Sequence, residues 1–264
     1  MDNKSKNWTE VSELSSTIEL KFAGNTDTGI IRSVNQDSYY IDPEGRFFIV
    51  ADGMGGHAGG EEASKIATEV IKTYLDSHWQ DTIESPQLLE DAFIQANEAI
   101  IIDQEKHPER SDMGTTAVVA IFREPQPWCA NVGDSRLYRL RGQELAQITE
   151  DQTWVAQAVR QNALTSDQAR VHPWRHVLSQ CLGREDMGRV DLLSLDVQPG
   201  DRLLLCSDGL TEELSDEKIS SIFEIAPILS YGDACADIAE KLVNAAKEEG
   251  GRDNITVIIV AVDS

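Results

Sequence analysis

The apolar positions of this chain alternate between two textures. Short runs rich in β-branched and aromatic residues, each bounded by Gly, Pro, Asp or Asn, read as strands. They lie at 18–24, 37–42, 46–52, 114–122, 128–133, 136–140, 190–197, 201–208 and 254–262. Between them stand segments whose apolar side chains recur every three or four positions, the spacing of an amphipathic helix. Gly60 to about Trp79 is one, with Ala63, Ile66, Ala67, Val70, Ile71 and Tyr74 in register, and Pro86 to about Asp103 is the next. Asp233 to Glu248 reads the same way through Ala234, Ile238, Leu242 and Ala245.

Neighbouring runs are joined by hairpin-length breaks such as Pro43-Glu44-Gly45 and Arg141-Gly142-Gln143. Hairpins imply antiparallel sheet, with helices inserted in blocks rather than after every strand. Residues 1–17 are polar and patternless and read as a loose tail. No repeat or linker divides the remainder, so 18–264 is expected to form one domain mixing helix and sheet. Thr149 to Gly183 departs from the pattern, polar with short helical pieces between two strand regions, and an insertion of that size over a sheet is expected to act as a lid.

Composition narrows the functional classes. The chain has 264 residues, 23 Lys and Arg against 46 Asp and Glu, and a formal net charge of −23. That charge argues against nucleic acid or an anionic membrane surface as partner, since both need a cationic face. The longest apolar runs, such as the eight residues Ile255 to Val262, are far too short to span a membrane. The first residues hold no apolar core of a secretory signal. Cys129, Cys181, Cys206 and Cys235 form no CxxC pair, so neither structural zinc nor a disulfide scaffold is indicated, and a reducing, cytoplasmic setting is expected.

The chemistry lies in aspartates that end or begin apolar runs: Asp52-Gly53, Asp134, Asp208-Gly209 and Asp253-Asn254. One Asp-Gly is a turn signal. Four such aspartates at the edges of the most apolar runs are different, because strands sharing a sheet bring their ends together and ionised carboxylates beside a core need pairing or a metal. Lys and Arg are scarce, and all-oxygen ligands favour magnesium, manganese or calcium over zinc. The absence of an EF-hand loop weakens calcium. Two such ions can activate a bridging water and clamp a phosphoryl group, which points to metal-assisted phosphoester hydrolysis.

Rival chemistries fail on spacing. Gly53 to Ala58 matches G-x-G-x-x-A after a strand, but the acidic residue some 20 positions on, Asp76, lies in a helical stretch instead of closing a second strand. A cysteine phosphatase needs C-x5-R, yet the residues six beyond the cysteines are Ser135, Met187, Glu212 and Lys241. Neither D-x-D nor the G-x-S-x-G elbow of a serine hydrolase is present.

The motifs together resemble the metal-dependent serine/threonine protein phosphatases of type 2C, over essentially the whole stretch from Ile18 to Val262. They stand in order as Arg32 to Asp37, Val50 to His57, Met113 to Thr116, Val132 to Arg136, Cys206 to Gly209 and Gly251 to Asn254. The chain looks particularly like the small bacterial and cyanobacterial members. The resemblance implies an α+β fold, a four-layer sandwich of two antiparallel sheets flanked by helices, with the metal site at one edge and the lid above it. It implies that Asp52 bridges two manganese or magnesium ions, that the Gly53 carbonyl binds the second, and that Asp208 and Asp253 complete the first. Asp37 serves the second ion directly or through water, Asp134 with Asp208 matches a third, weaker site, and Arg32 matches the phosphate-binding arginine.

Two departures stand out. Where animal members carry a histidine thought to act as general acid, this chain has Met54, leaving His57 or water for that role; and Gln36 replaces a Glu, so the second ion is expected to be held more through water. Gln152 occupies a lid position where related bacterial chains often have His, which bears on substrate choice, while His172 and His176 are expected to be surface or packing residues. The implied activity is hydrolysis of phosphoserine and phosphothreonine in proteins through a metal-activated water, by a cytoplasmic monomer. Similarity to cyanobacterial members suggests the phosphorylated nitrogen-signalling protein PII as substrate. Hydrolysis of small phosphomonoesters and a non-catalytic phosphoprotein-binding module are the alternatives, the second disfavoured because every metal aspartate is present.

Overall fold

The structure, a computed structural model, describes residues 19–56, 59–225 and 231–263. The expected tail at 1–17 and His57 lie outside the described residues. Two antiparallel sheets stack face to face. One has the strand order β1-β11-β10-β7-β8, formed by Glu19–Asp27, Ile255–Asp263, Arg202–Cys206, Arg136–Arg141 and Glu144–Gln147. The other has the order β2-β3-β5-β6-β9, formed by Asp37–Ile41, Phe47–Met54, Ala117–Ile121, Trp128–Val132 and Asp191–Ser194, with the short β4 (Gly114–Thr115) paired to the end of β3.

The continuous apolar runs arise because each central strand is buried on both faces. In β3, Phe47 and Ile49 face α1 (Gly59–His78) and α2 (Ser85–Lys106), while Phe48 and Val50 face the other sheet. In β11, Val257 and Ile259 pack under α7 (Tyr231–Glu249), and Ile258 and Val260 meet the partner sheet. Successive side chains of a strand point to opposite faces, so one run supplies two cores. Helices α5 (Asp208–Thr211) and α6 (Asp216–Ile225) cover the same outer face as α7. The expected four-layer α+β sandwich is therefore the observed one.

The differences are local. The 114–122 run is broken at Thr116, whose backbone N–H donates to Asp52 O at 2.9 Å and whose side chain turns toward β3 and the turn after β6. The 201–208 run ends as a strand at Cys206, and Asp208 opens a helix instead of closing the strand. Strand β8 has little strand character of its own and forms by pairing with β7 across the hairpin at Gly142. The 149–183 segment carries α3 (Trp154–Arg160) and α4 (Ser166–Arg170), capped by the side chains of Thr153 and Thr165. No helix among the described residues is long and apolar enough to cross a membrane.

Candidate active site and metal centre

Five carboxylates arrive at one edge of the sandwich from different strands. Asp37 opens β2 and is paired in register with Asp52 near the end of β3. Asp208 follows β10 and Asp253 precedes β11; these strands are neighbours, with Cys206 opposite Val257, so the two aspartates emerge together. Asp134 lies in the turn from β6 to β7, where the chain passes between sheets.

The two sheets are stitched together at this edge by Asp37. Its Oδ2 accepts hydrogen bonds from Ser207 Oγ at 2.7 Å, just past the end of β10, and from Thr256 Oγ1 at 2.6 Å, on β11 of the opposite sheet. Asn254 adds a second stitch: its Oδ1 accepts from Gln36 N at 2.8 Å, and its amide donates to Thr28 O at 2.9 Å and Val34 O at 3.0 Å. Gly53 is required here because a Cβ would stand 2.0 Å from the Gly60 carbonyl, where α1 begins. Gly209 is required for the same reason, its Cβ position lying 2.0 Å from Asn254 O.

The electrostatics are those of an acid-rich pocket. Burial pushes the Asp52 carboxyl well up from the ordinary range, and Asp37, Asp208 and Asp134 add to it. Asp37 is raised to about 7 by burial, against the two hydroxyl donors that favour its charge. Asp134 is raised by burial and then by Asp208 and Asp151. Asp208 is raised by burial, offset in part by a hydrogen bond with Asp52. Arg32 places Nη2 2.6 Å from Asp253 Oδ2, with its side chain half exposed, and its guanidinium is held charged by that bond.

These residues fit a divalent cation. With Oδ2 of Asp37 taken by two hydroxyls, Oδ1 is buried and has no hydrogen-bond partner. A buried carboxylate oxygen without a donor is costly, and the set around it is all oxygen, as hard cations prefer. Arg32 reaches one member of the set, and Arg136, near Asp134, is engaged by Asp151 through bonds of 2.8 and 2.7 Å.

The other residues singled out from the sequence fall as follows. Met54 ends β3, paired with Gly114. Gln36 Nε2 donates to Gly55 O at 3.5 Å, while its carbonyl accepts from Gly53 N and Ser64 Oγ. Gln152 is buried: its Oε1 accepts from Gly133 N at 2.8 Å and its Nε2 donates to Asp191 Oδ2 at 2.7 Å, so it ties the 149–183 segment to the ends of β6 and β9. His172 packs on Trp154, as expected. His176 is exposed, as expected, and it also lies beside the carboxylates. Its Nδ1 contacts Glu212 Oε1, and ligand atoms of His176, Asp208 and Glu212 lie within 4.8 Å of one another. Glu212 follows Asp208 by one helical turn, which puts both on one face of α5 and its continuation. Sequence reading also missed Ser207 and Thr256, although Ser207 stands inside the Cys206-to-Gly209 motif.

Beside this cluster opens a groove of about 990 Å³, lined by Asp134, Asp208 and Glu212 on the core side and by Val155, Val171 and Arg175 from the 149–183 segment.

A family model described as protein phosphatase 2C matches residues 31–252. The chain is 36% identical over 249 residues to the serine/threonine protein phosphatase PstP of Mycobacterium tuberculosis, covering 93% of this chain and 46% of that protein, so it spans about half of that relative's length. It is 35% identical over 247 residues to the serine/threonine phosphatase stp of Listeria monocytogenes, covering 90% of this chain and 94% of the other. Among solved structures, the catalytic domain of PstP in complex with two manganese ions superposes with a TM-score of 0.80 at 33% identity, covering 94% of this chain and all of that one.

Proposed function

The chain belongs to the protein phosphatase 2C family, and from that premise we propose that it is a metal-dependent phosphatase hydrolysing phosphoserine and phosphothreonine in proteins. The observation that carries the reading is the convergence of Asp37, Asp52, Asp208 and Asp253 from two sheets around a buried carboxylate oxygen left free for a cation.

Asp52, the Gly53 carbonyl, Asp208 and Asp253 are the residues assigned to hold two manganese or magnesium ions, with Asp37 serving the second and Asp134 with Asp208 a third. When bound, such ions activate water toward phosphorus and neutralise phosphate charge. The protein's own part is placement and polarity. Asp253 holds the Arg32 guanidinium at the mouth of the cluster, where its planar donors suit phosphate oxygens. That one fixed cation gives an acidic protein a point of attraction for an anionic group. The departing serine or threonine oxygen needs a proton, for which His57 and water are the candidates, and the pH–rate profile of His57→Ala separates them.

The test is hydrolysis of a phosphothreonine peptide with manganese, with chelator, and in Asp208→Ala. Manganese-dependent turnover that is lost in both controls is expected. Turnover surviving full chelation would overturn the reading. Phosphorylated PII is the proposed substrate, resting on likeness to cyanobacterial members, and equal rates on unrelated phosphoproteins would remove that specificity. A monomeric signalling enzyme is part of the same proposal, and four free, buried cysteines support its cytoplasmic setting.

A further inference from the structure

Among the described residues ten large apolar side chains are exposed, and seven of them lie on two segments that each send a side chain to the carboxylate cluster. Ile30, Ile31 and Val34 lie on the loop between β1 and β2 that carries Arg32, and Arg32 binds Asp253. Trp154, Val171, Trp174 and Val177 lie on the lid, the last two flanking His176, which touches Glu212 beside Asp208. On a protein of net charge −23, exposed apolar residues concentrated on two such segments mark a contact surface.

Both clusters sit on fixed backbone. Ile30 N and Ile31 N donate to Gly251 O at 2.7 and 3.3 Å, and Val34 O accepts from Asn254. On the lid, Trp154 N donates to Val177 O at 2.8 Å, and Trp154 stacks on His172 and meets Trp174 edge-on, both with centroids 5.1 Å apart. Side chains already ordered lose little freedom on binding. Two of the arginines nearby are engaged with carboxylates. Arg160 is 2.7 Å from Glu150, and Arg252 is 2.9 Å from Glu213. Apolar contact is thus the handle these edges offer, and the acidic surface beyond them disfavours carboxylate-rich segments.

We propose that the two edges form one docking surface for the substrate polypeptide and select phosphoserine or phosphothreonine segments with bulky apolar side chains next to the phosphoresidue, over segments with acidic or small polar ones. The occupant is the substrate chain because each apolar set flanks a side chain, Arg32 or His176, that reaches the carboxylates which would receive its phosphate. This inference rests on the phosphatase reading.

Three phosphothreonine peptides that differ only in Leu/Val, Ser/Gly or Glu flanks test it, with p-nitrophenyl phosphate as a substrate that has no flanks. Binding is measured in parallel by anisotropy of labelled peptides bearing a non-hydrolysable phosphonate. The Leu/Val peptide is expected to exceed the others by about tenfold in kcat/KM and in affinity, a ratio within reach of two buried apolar contacts. The double variant Ile31→Ser with Trp174→Ser is expected to abolish that ratio while leaving p-nitrophenyl phosphate turnover within about twofold. Equal affinity for all three peptides, or a preference retained by the double variant, would overturn the surface. Preferential binding of the Leu/Val peptide that the double variant loses, with no phosphoester cleaved, would sustain the surface and overturn the phosphatase reading instead.

Discussion

Ser207 Oγ donates to Asp37 Oδ2 at 2.7 Å, although the two residues are 170 positions apart and Ser207 follows a strand of the other sheet. With Thr256 donating to the same oxygen, the carboxylate is turned so that only Oδ1 remains for another partner. Supporting residues of this kind typically cost about tenfold to a hundredfold in metal affinity when removed. Ser207→Ala combined with Thr256→Val is therefore expected to weaken manganese binding by about that factor, measured by calorimetric titration. Unchanged affinity would show that Asp37 needs no such fixing.

Asp208 adds a like charge to a buried cluster, so its effects on stability and on activity have opposite signs. In the metal-free protein, Asp208→Asn is expected to raise Tm, because it relieves repulsion among Asp52, Asp253 and Asp134. With manganese the same variant is expected to show a smaller gain in Tm than wild type and a loss of phosphatase activity larger than the roughly hundredfold that supporting residues cost. Thermal melts with manganese and with chelator check both signs.

Asp42 and Arg46 give the acid limb of stability. Burial works against ionisation of Asp42, but hydrogen bonds from the Arg46 side chain and backbone overcome it and hold the carboxyl below its ordinary value of 3.8. A carboxyl depressed in the folded state stabilises above its unfolded value, so this contribution is present above about pH 4 and is lost as pH falls further. Melts across pH 2.5–6 are expected to show that loss in wild type and a shallower one in Asp42→Asn (about the same range applies to any such carboxylate). Arg46→Ala leaves the buried Asp42 charge unpaired and is expected to cost about 3 kcal/mol, a fall of about 6–12 °C in Tm.

Gln152 fastens the 149–183 segment, the proposed lid, through Gly133 and Asp191. Gln152→Ala strips both of a buried partner and is expected to loosen the lid while leaving the sandwich folded. Limited trypsin digestion should then cut faster at Arg160 and Arg175, with far-ultraviolet circular dichroism unchanged. Cleavage at the wild-type rate would place the lid's anchorage elsewhere.

Much of this was legible along the chain, for physical reasons that differ between elements. The run ending at Asp52 is apolar on both faces and bounded by turn residues, so its strand identity and the exposure of its end follow from composition. Antiparallel pairing likewise follows from the hairpin at Gly45. Strand β8 and the helix opened by Asp208 do not follow, because the first depends on an edge offered by β7 and the second is a single turn set by its neighbours. The approach of His176 to Asp208 and the grip of Ser207 and Thr256 on Asp37 arise only when two sheets and the lid are assembled, so no local pattern encodes them.

Because the residues of β3 feed one core from one face and a second core from the other, its sequence is constrained in length more than in chemistry. Exchanging one aliphatic side chain for another of similar volume disturbs a single layer. Adding or deleting one residue would send every side chain beyond it to the opposite face, setting each in a core shaped for another residue and carrying Asp52 to the wrong side of the sheet. The strand behaves as a ruler: point substitutions along it are survivable, while frame-preserving insertions of a single codon are expected to abolish the fold and the metal centre in one step.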